Sequence, residues 1–266
     1  MENLREAQLE MLDILKEIDC ICEKHKIRYW LFAGTLLGAV RHQGFIPWDD
    51  DCDIGMMRED FEKFESVLNE LPSHLFYQTP KTDPHYTKKF IKIRSNRIKL
   101  IETEESFNEP YHQGVFVDIF IHDYYPSWSL SLMKYLQRFY LLRKQKVRYQ
   151  KGSLQRMFFH LRLLPEIASH YFVRFVLNIL LKKFRKKTSG YIGIALSYAD
   201  FKAVYHAEHI LPISEKMTFE GSRFSVPKDA DALLCQCFGN YMQLPPEGER
   251  RWHAKAIVVN KDEKIV

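Results

Sequence analysis

The densest concentration of chemistry in this chain is the run Asp49–Asp50–Asp51–Cys52–Asp53. In a strand, residues two apart point to one face, so Asp51 and Asp53 would lie side by side while Asp50 points elsewhere. Asp49 would join the pair only if the strand starts early. Two carboxylates on one face repel, and a divalent cation between them removes that penalty. Oxygen ligands of this kind suit Mg2+ or Mn2+. A solvated acidic loop is the other reading. A calcium loop of the EF-hand type starting at Asp49 would need glycine and glutamate where this chain carries Ile54 and Asp60.

Two neighbours extend the acidic pair. Upstream, Gly34–Thr35 stands between a short predicted strand, Ile27 to Phe32, and a short predicted helix, Leu36 to His42. Glycine lets backbone approach a ligand, and a helix N-terminus offers free N–H groups to phosphate. Thr35 adds a hydroxyl donor. Downstream, Asp118 sits inside the apolar run Val115–Ile121. A lone acid there is costly if buried without a partner. It either lies on a strand face open to water, or serves as a third metal ligand or as a base for an attacking hydroxyl.

The stretch from Gly34 through Arg41–His42–Gln43–Gly44–Phe45–Ile46–Pro47–Trp48 to Met56 strongly resembles the LicD family. The resemblance continues at Lys92–Ile93–Arg94, Gly114–Phe120, Phe219–Glu220–Gly221, Phe238–Met242 and Leu244–Pro246. Cys52, Asn240, Phe238 and Ile98 depart from its usual residues without touching an acid. The resemblance implies a nucleotidyltransferase-like α+β fold, with a mixed sheet flanked by helices. It implies a metal-dependent transfer of phosphocholine, or a related phospho-alcohol, from a CDP-linked donor. The acceptor would be a hydroxyl of a surface glycan or its lipid-linked precursor. Asp51, Asp53 and Asp118 match the metal-binding carboxylates, and Gly34 and Thr35 the nucleotide-phosphate turn. Arg41, Lys92 and Arg94 are either diphosphate contacts or ordinary surface charge. Trp48 and Phe45 either stack on a base or choline or pack the loop. Transfer of phosphoethanolamine or an alditol phosphate is the alternative, as is a nucleotide-binding protein that has lost catalysis.

These residues need a scaffold, and the sequence supplies one. Leu4, Ala7, Met11, Leu15, Ile18 and Cys22 recur at helical spacing over residues 2–25. Strands are predicted at Asp51–Met56, Phe90–Ser95 and Val115–Ile121, and a helix at Arg58–Asn69. The chain has 266 residues, 46% hydrophobic and 27% charged, which is globular composition. No apolar run reaches the ~20 residues of a membrane-spanning helix. Nothing resembles a signal peptide, and five cysteines without one read as free thiols.

From Lys134 to Lys187 there are fifteen Lys and Arg against one acid, Glu166. Mainly helical in pattern, with a break at Pro165, this segment could meet anionic lipid as a peripheral membrane contact, or form a buried helix pair with a basic edge. No nucleic-acid reader motif accompanies it, so nucleic acid is not expected as a partner. The expected organisation is a catalytic core over 1–125, the basic segment over 126–190, and a C-terminal segment over 191–266 that packs on the core and completes the site. The expected location is the cytoplasm, at the inner face of the cell membrane.

Overall fold

A computed structural model of the chain describes residues 3–134, 189–195, 203–250 and 252–259, with scattered helical positions between 172 and 183. The predicted break at Pro165, and most of the predicted basic helical segment, lie outside the described residues. The chain divides into two compact units, 1–121 with 208–266 and 122–207. No described helix is long and apolar enough to cross a membrane.

The first unit is α+β. Helix α1 (Leu4–His25) buries Ala7, Met11, Ile14, Leu15 and Ile18 completely. Each such aliphatic contributes about 1.5–3 kcal/mol when removed from water. The helix stops where Lys26 turns left-handed at φ 55°, with Lys24 and His25 complementing the dipole in its last turn. Strand β1 (Trp30–Leu31) follows, then helix α2 (Ala33–His42), strand β2 (Asp53–Met57) and helix α3 (Arg58–Ser66). Strands β3 (Leu75–Gln78), β4 (Ile91–Glu102) and β5 (Gly114–Tyr124) come next. After the second unit come β8 (Glu215–Phe219), β9 (Ser222–Val226), helix α4 (Ala230–Phe238) and β10 (Ala254–Val259). The second unit holds the end of β5, β6 (Tyr191–Ile194) and β7 (Val204–His206), paired antiparallel, around a small core of Tyr125, Met133 and Val204.

The main sheet runs β1–β2–β5–β4, and β4 is long enough for β3 and β10 to pair with its two halves. The register sets Lys92 opposite Asp118 and Arg94 opposite Phe116. Strand β2 is buried along its whole length, with Ile54 and Met56 fully enclosed. The hairpin β8–β9 turns at Glu220 and Gly221, both with positive φ, a geometry that glycine relieves at the second position.

Four predicted elements differ from those observed. Strand β1 has two residues rather than the run from Ile27, and β4 extends well beyond Ser95. Strand β2 begins at Asp53, so Asp51 lies in the loop before it. Gly34 and Thr35 fall inside the first turn of α2 instead of ahead of it. The reason is Ala33, whose φ of 44° puts a left-handed kink directly after β1 and starts the helix early. A non-glycine residue there stores strain that the surrounding packing must hold.

Candidate active site

The acidic loop is pinned from several sides. Gln8 on α1 donates its side-chain amide to Asp49 O at 2.9 Å and Ile46 O at 3.3 Å. Thr35 Oγ1 accepts the N–H of Asp53 at 2.7 Å, which fixes the start of β2 against α2. The N–H of Asp118 donates to Cys52 O at 2.8 Å, tying β5 to the same run. Glu220 accepts the N–H of Phe45 at 3.0 Å and two bonds from Arg5 at 2.6 and 3.1 Å. Its own N–H donates to Gln43 O, and Phe219 packs against Phe45 with ring centroids 4.8 Å apart. A Cβ at Gly44 would meet the Glu220 carboxylate, so a side chain there would push Glu220 out of place. The Phe219–Glu220–Gly221 motif is therefore a clamp on the loop that leads into the acids.

Asp51, Asp53 and Asp118 come together electrostatically, and Asp49 joins them. Burial, with Asp51 next in strength, pushes the Asp49 carboxyl up to about 8. Burial, then the charges of Asp51, Asp118 and Asp49, raises Asp53 well above the carboxylate range. Burial likewise raises Asp51, against the opposing pull of His253. Burial raises Asp118, which Lys92 opposes. Asp50, in the same loop as Asp51, buries its carboxylate against the C-terminal part of the chain, accepting backbone N–H groups of His253 at 2.8 Å and Ala254 at 2.5 Å.

Lys92 is 1% exposed and ion-pairs with both oxygens of Asp118, at 3.0 and 3.1 Å. Its ammonium lies 3.1 Å from the centroid of the Phe116 ring. Burial holds its pKa below the ordinary lysine value. Arg94 is 0% exposed, bonded through Nε to Gln78 and through Nη1 to Gly114 O. Its Nη2 has no hydrogen-bond partner and lies 3.8 Å from Glu102 Oε2. Arg41 donates to Tyr241 O at 2.7 Å and lies within electrostatic reach of Asp49, so the Phe238–Met242 motif positions it. His42 accepts a bond from Arg41 Nε at 3.0 Å, and the backbone N–H of Gln43 closes the helix. Trp48 has the Arg250 guanidinium over its ring at 4.2 Å. Gly34 leaves room for an acid: a Cβ there would sit 2.9 Å from Asp49 Oδ2. Thr35, 2% exposed, spends its oxygen on Asp53 N–H. What faces outward at this turn is backbone, because the amides of Gly34 and Thr35 precede the first bond of the helix, Leu36 N–H to Phe32 O.

His253 is the residue that sequence reasoning missed. Strand β10 brings it across the chain to stand with Nδ1 3.2 Å from Asp50 Oδ1 and 3.2 Å from Asp51 Oδ2. Its bond to Asp50 lifts its pKa to about 9, so it is an imidazolium at neutral pH. No local pattern marks it; only the pairing of β10 with β4 does. The described cysteines are free, and Cys52 is fully buried, with burial pushing its thiol pKa up.

A buried set of oxygen donors that repel one another fits a hard divalent cation. Among the described residues no three His, Cys, Asp or Glu side chains already form a ready ligand shell. The Lys92 ammonium instead balances Asp118.

An α+β domain with a carboxylate centre on two neighbouring strands is the class of protein defined here. Its residues 26–127 match the LicD/FKTN/FKRP nucleotidyltransferase domain. The chain is 31% identical over 262 residues to the lipopolysaccharide cholinephosphotransferase LicD of Haemophilus influenzae, covering 94% of this chain and 95% of that protein. A Rickettsia typhi protein is 32% identical over 143 residues, 52% of this chain and 39% of its own. The human ribitol 5-phosphate transferase FKRP is 47% identical over 47 residues, 18% of this chain and 10% of its own. The chain belongs to the LicD family.

Proposed function

We propose that this protein transfers phosphocholine from a CDP-linked donor to a hydroxyl of a surface glycan or its lipid-linked precursor, with Mg2+ or Mn2+ as cofactor. The observation that carries this reading is the acid cluster of Asp51, Asp53 and Asp118, buried beside Lys92, in a chain that matches a cholinephosphotransferase nearly end to end. Asp51, Asp53 and Asp118, with Asp49 beside them, are the residues that would hold the cation. When bound, the cation supplies charge neutralisation for the attacking and leaving oxygens.

The protein's own groups do the rest. The helix α2 N-terminus and Arg41 bind and orient the donor diphosphate. Lys92, seated on Phe116, keeps Asp118 ionised and fixed in place. An acceptor hydroxyl attacks the phosphorus that carries choline; the new O–P bond forms as the bond to CMP breaks, and the hydroxyl proton passes to a carboxylate oxygen of Asp118. His253 holds Asp51 in orientation from the solvent side.

Transfer of an alditol phosphate is the second reading, favoured by the similarity to the ribitol 5-phosphate transferase. A donor panel of CDP-choline, CDP-ethanolamine, CDP-ribitol and CDP-glycerol separates the two, with CMP release measured in Mg2+ with and without glycan. CDP-choline as the preferred donor is the expected result. Asp51→Asn and Asp53→Asn each abolish transfer while the protein stays folded; near-normal turnover in either would sink the assignment.

A further inference from the structure

Away from the acids, the first unit contains a cleft of about 890 Å³ between β3, the middle of β4 and the loop before β5. That volume is within the range of small-molecule sites. Along β4, Asn96 lies four residues from Lys92, about 13 Å at ~3.3 Å per residue, so the cleft is separate from the carboxylate centre.

Its wall has an aromatic face. Phe76 and His112 stack at 5.0 Å with their planes 15° apart, and Tyr111 lines the same space. Burial holds the His112 pKa down at about 4, so this ring is neutral at physiological pH. The charges around the cleft are already spent. Arg97 pairs with Asp13 at 2.8 Å. Asp83 accepts from Gln78 at 2.8 Å and from the N–H of His112 at 2.9 Å. What is left over is neutral hydrogen-bonding capacity. Asn96 Oδ1 accepts from His112 Nε2 at 2.7 Å, which fixes the ring, and its Nδ2 makes only a long 3.4 Å bond to Ser73 O, leaving donor capacity.

We infer that this cleft binds a neutral pyranose residue of a glycan. Stacked rings offer the apolar face of a sugar a platform, and the Asn96 amide N–H groups serve its hydroxyls. A phosphate or carboxylate ligand would find no uncommitted cation. Resting on the acceptor proposed above, the site would anchor a sugar about a strand's length from the hydroxyl that reacts. Its floor is wired to the centre: Asp83 and His112 O both bind Gln78, which binds Arg94.

Saturation-transfer NMR on the full chain with maltose, lactose and diacetylchitobiose tests this. At least one disaccharide should give a signal that inorganic phosphate does not displace. Ser73→Trp, an exposed rim position, plugs the cleft, and Asn96→Ala removes a contact; each should weaken binding at least about tenfold, the effect of losing one good hydrogen bond. Asp51→Asn should leave binding unchanged. No signal from any disaccharide, displacement by phosphate, or a signal that survives both cleft variants overturns the inference. If sugar binds but no donor releases CMP, the transferase reading falls and the cleft stands. If CMP release is normal and no sugar binds, the cleft falls alone.

Discussion

Asp49→Asn tests the electrostatics of the acid cluster directly. Asp49 has its pKa raised from 3.8 to about 8, first by burial and then by Asp51. A raised carboxyl pKa means that the folded state binds the proton more tightly than the unfolded chain. The stability this group contributes is complete below its unfolded value and is lost as pH rises through the folded value. Four units at ~1.36 kcal/mol each would be on the order of 5 kcal/mol across that window. Because Asp51 and Asp53 share the repulsion, about half of that is assigned to Asp49 alone. Asparagine keeps the shape and the bond to Asp51 and cannot ionise. With EDTA present, the variant should therefore lead the parent by only about 1 kcal/mol at pH 5. By pH 9 it should exceed it by roughly 2–3 kcal/mol, or about 4–12 °C in Tm. The assay is thermal unfolding at pH 5, 7 and 9. Parallel pH curves for variant and parent, or a parent more stable at pH 9, would refute the reasoning.

Other changes probe the supports of the site. Lys92→Met strips Asp118 of its counter-ion inside the sheet and should lower stability by about 3–5 kcal/mol, read in urea unfolding at pH 7. The same variant should recover part of that loss as pH falls, because the buried, unpaired carboxyl takes up a proton more readily. Thr35→Val leaves the buried N–H of Asp53 without an acceptor; a loss of about 1–3 kcal/mol is expected, with kcat falling more than KM changes. Glu220→Ala unpairs the N–H of Phe45 and should destabilise by about 1–3 kcal/mol, whereas Glu220→Gln should recover much of that by keeping an acceptor.

The acids and their strands were legible because alternation and apolar runs are local. Asp118 in its Val–Ile–Phe strand followed from the apolar run alone, whereas Asp50 lies in a loop, buried against His253 and Ala254. The helix α1 stripe was equally plain. The strand start was misjudged because Asp51 is held by His253 and by its neighbours, not by a ladder bond that sequence could announce. Gly34–Thr35 looked like a turn ahead of a helix, since nothing about alanine signals a left-handed φ at Ala33. Arg94 is no surface charge: the pairing of β3 with β4 buries it beside Gln78, which the sequence around it does not announce. His253 and Glu220 act on the loop through partners some two hundred residues away, and contacts of that span leave no periodic trace.

The clamp formed by Glu220 and His253 also dictates a timetable. On the ribosome the acidic run emerges long before either partner exists. At ~5–20 residues per second, the chain between Asp53 and His253 takes about 10–40 s to make. Throughout that interval the carboxylates have neither the imidazolium nor the hairpin to hold them, and they stay hydrated. The nascent N-terminal portion is thus an acidic, open sheet fragment, and the reactive centre is among the last parts of the molecule to be assembled.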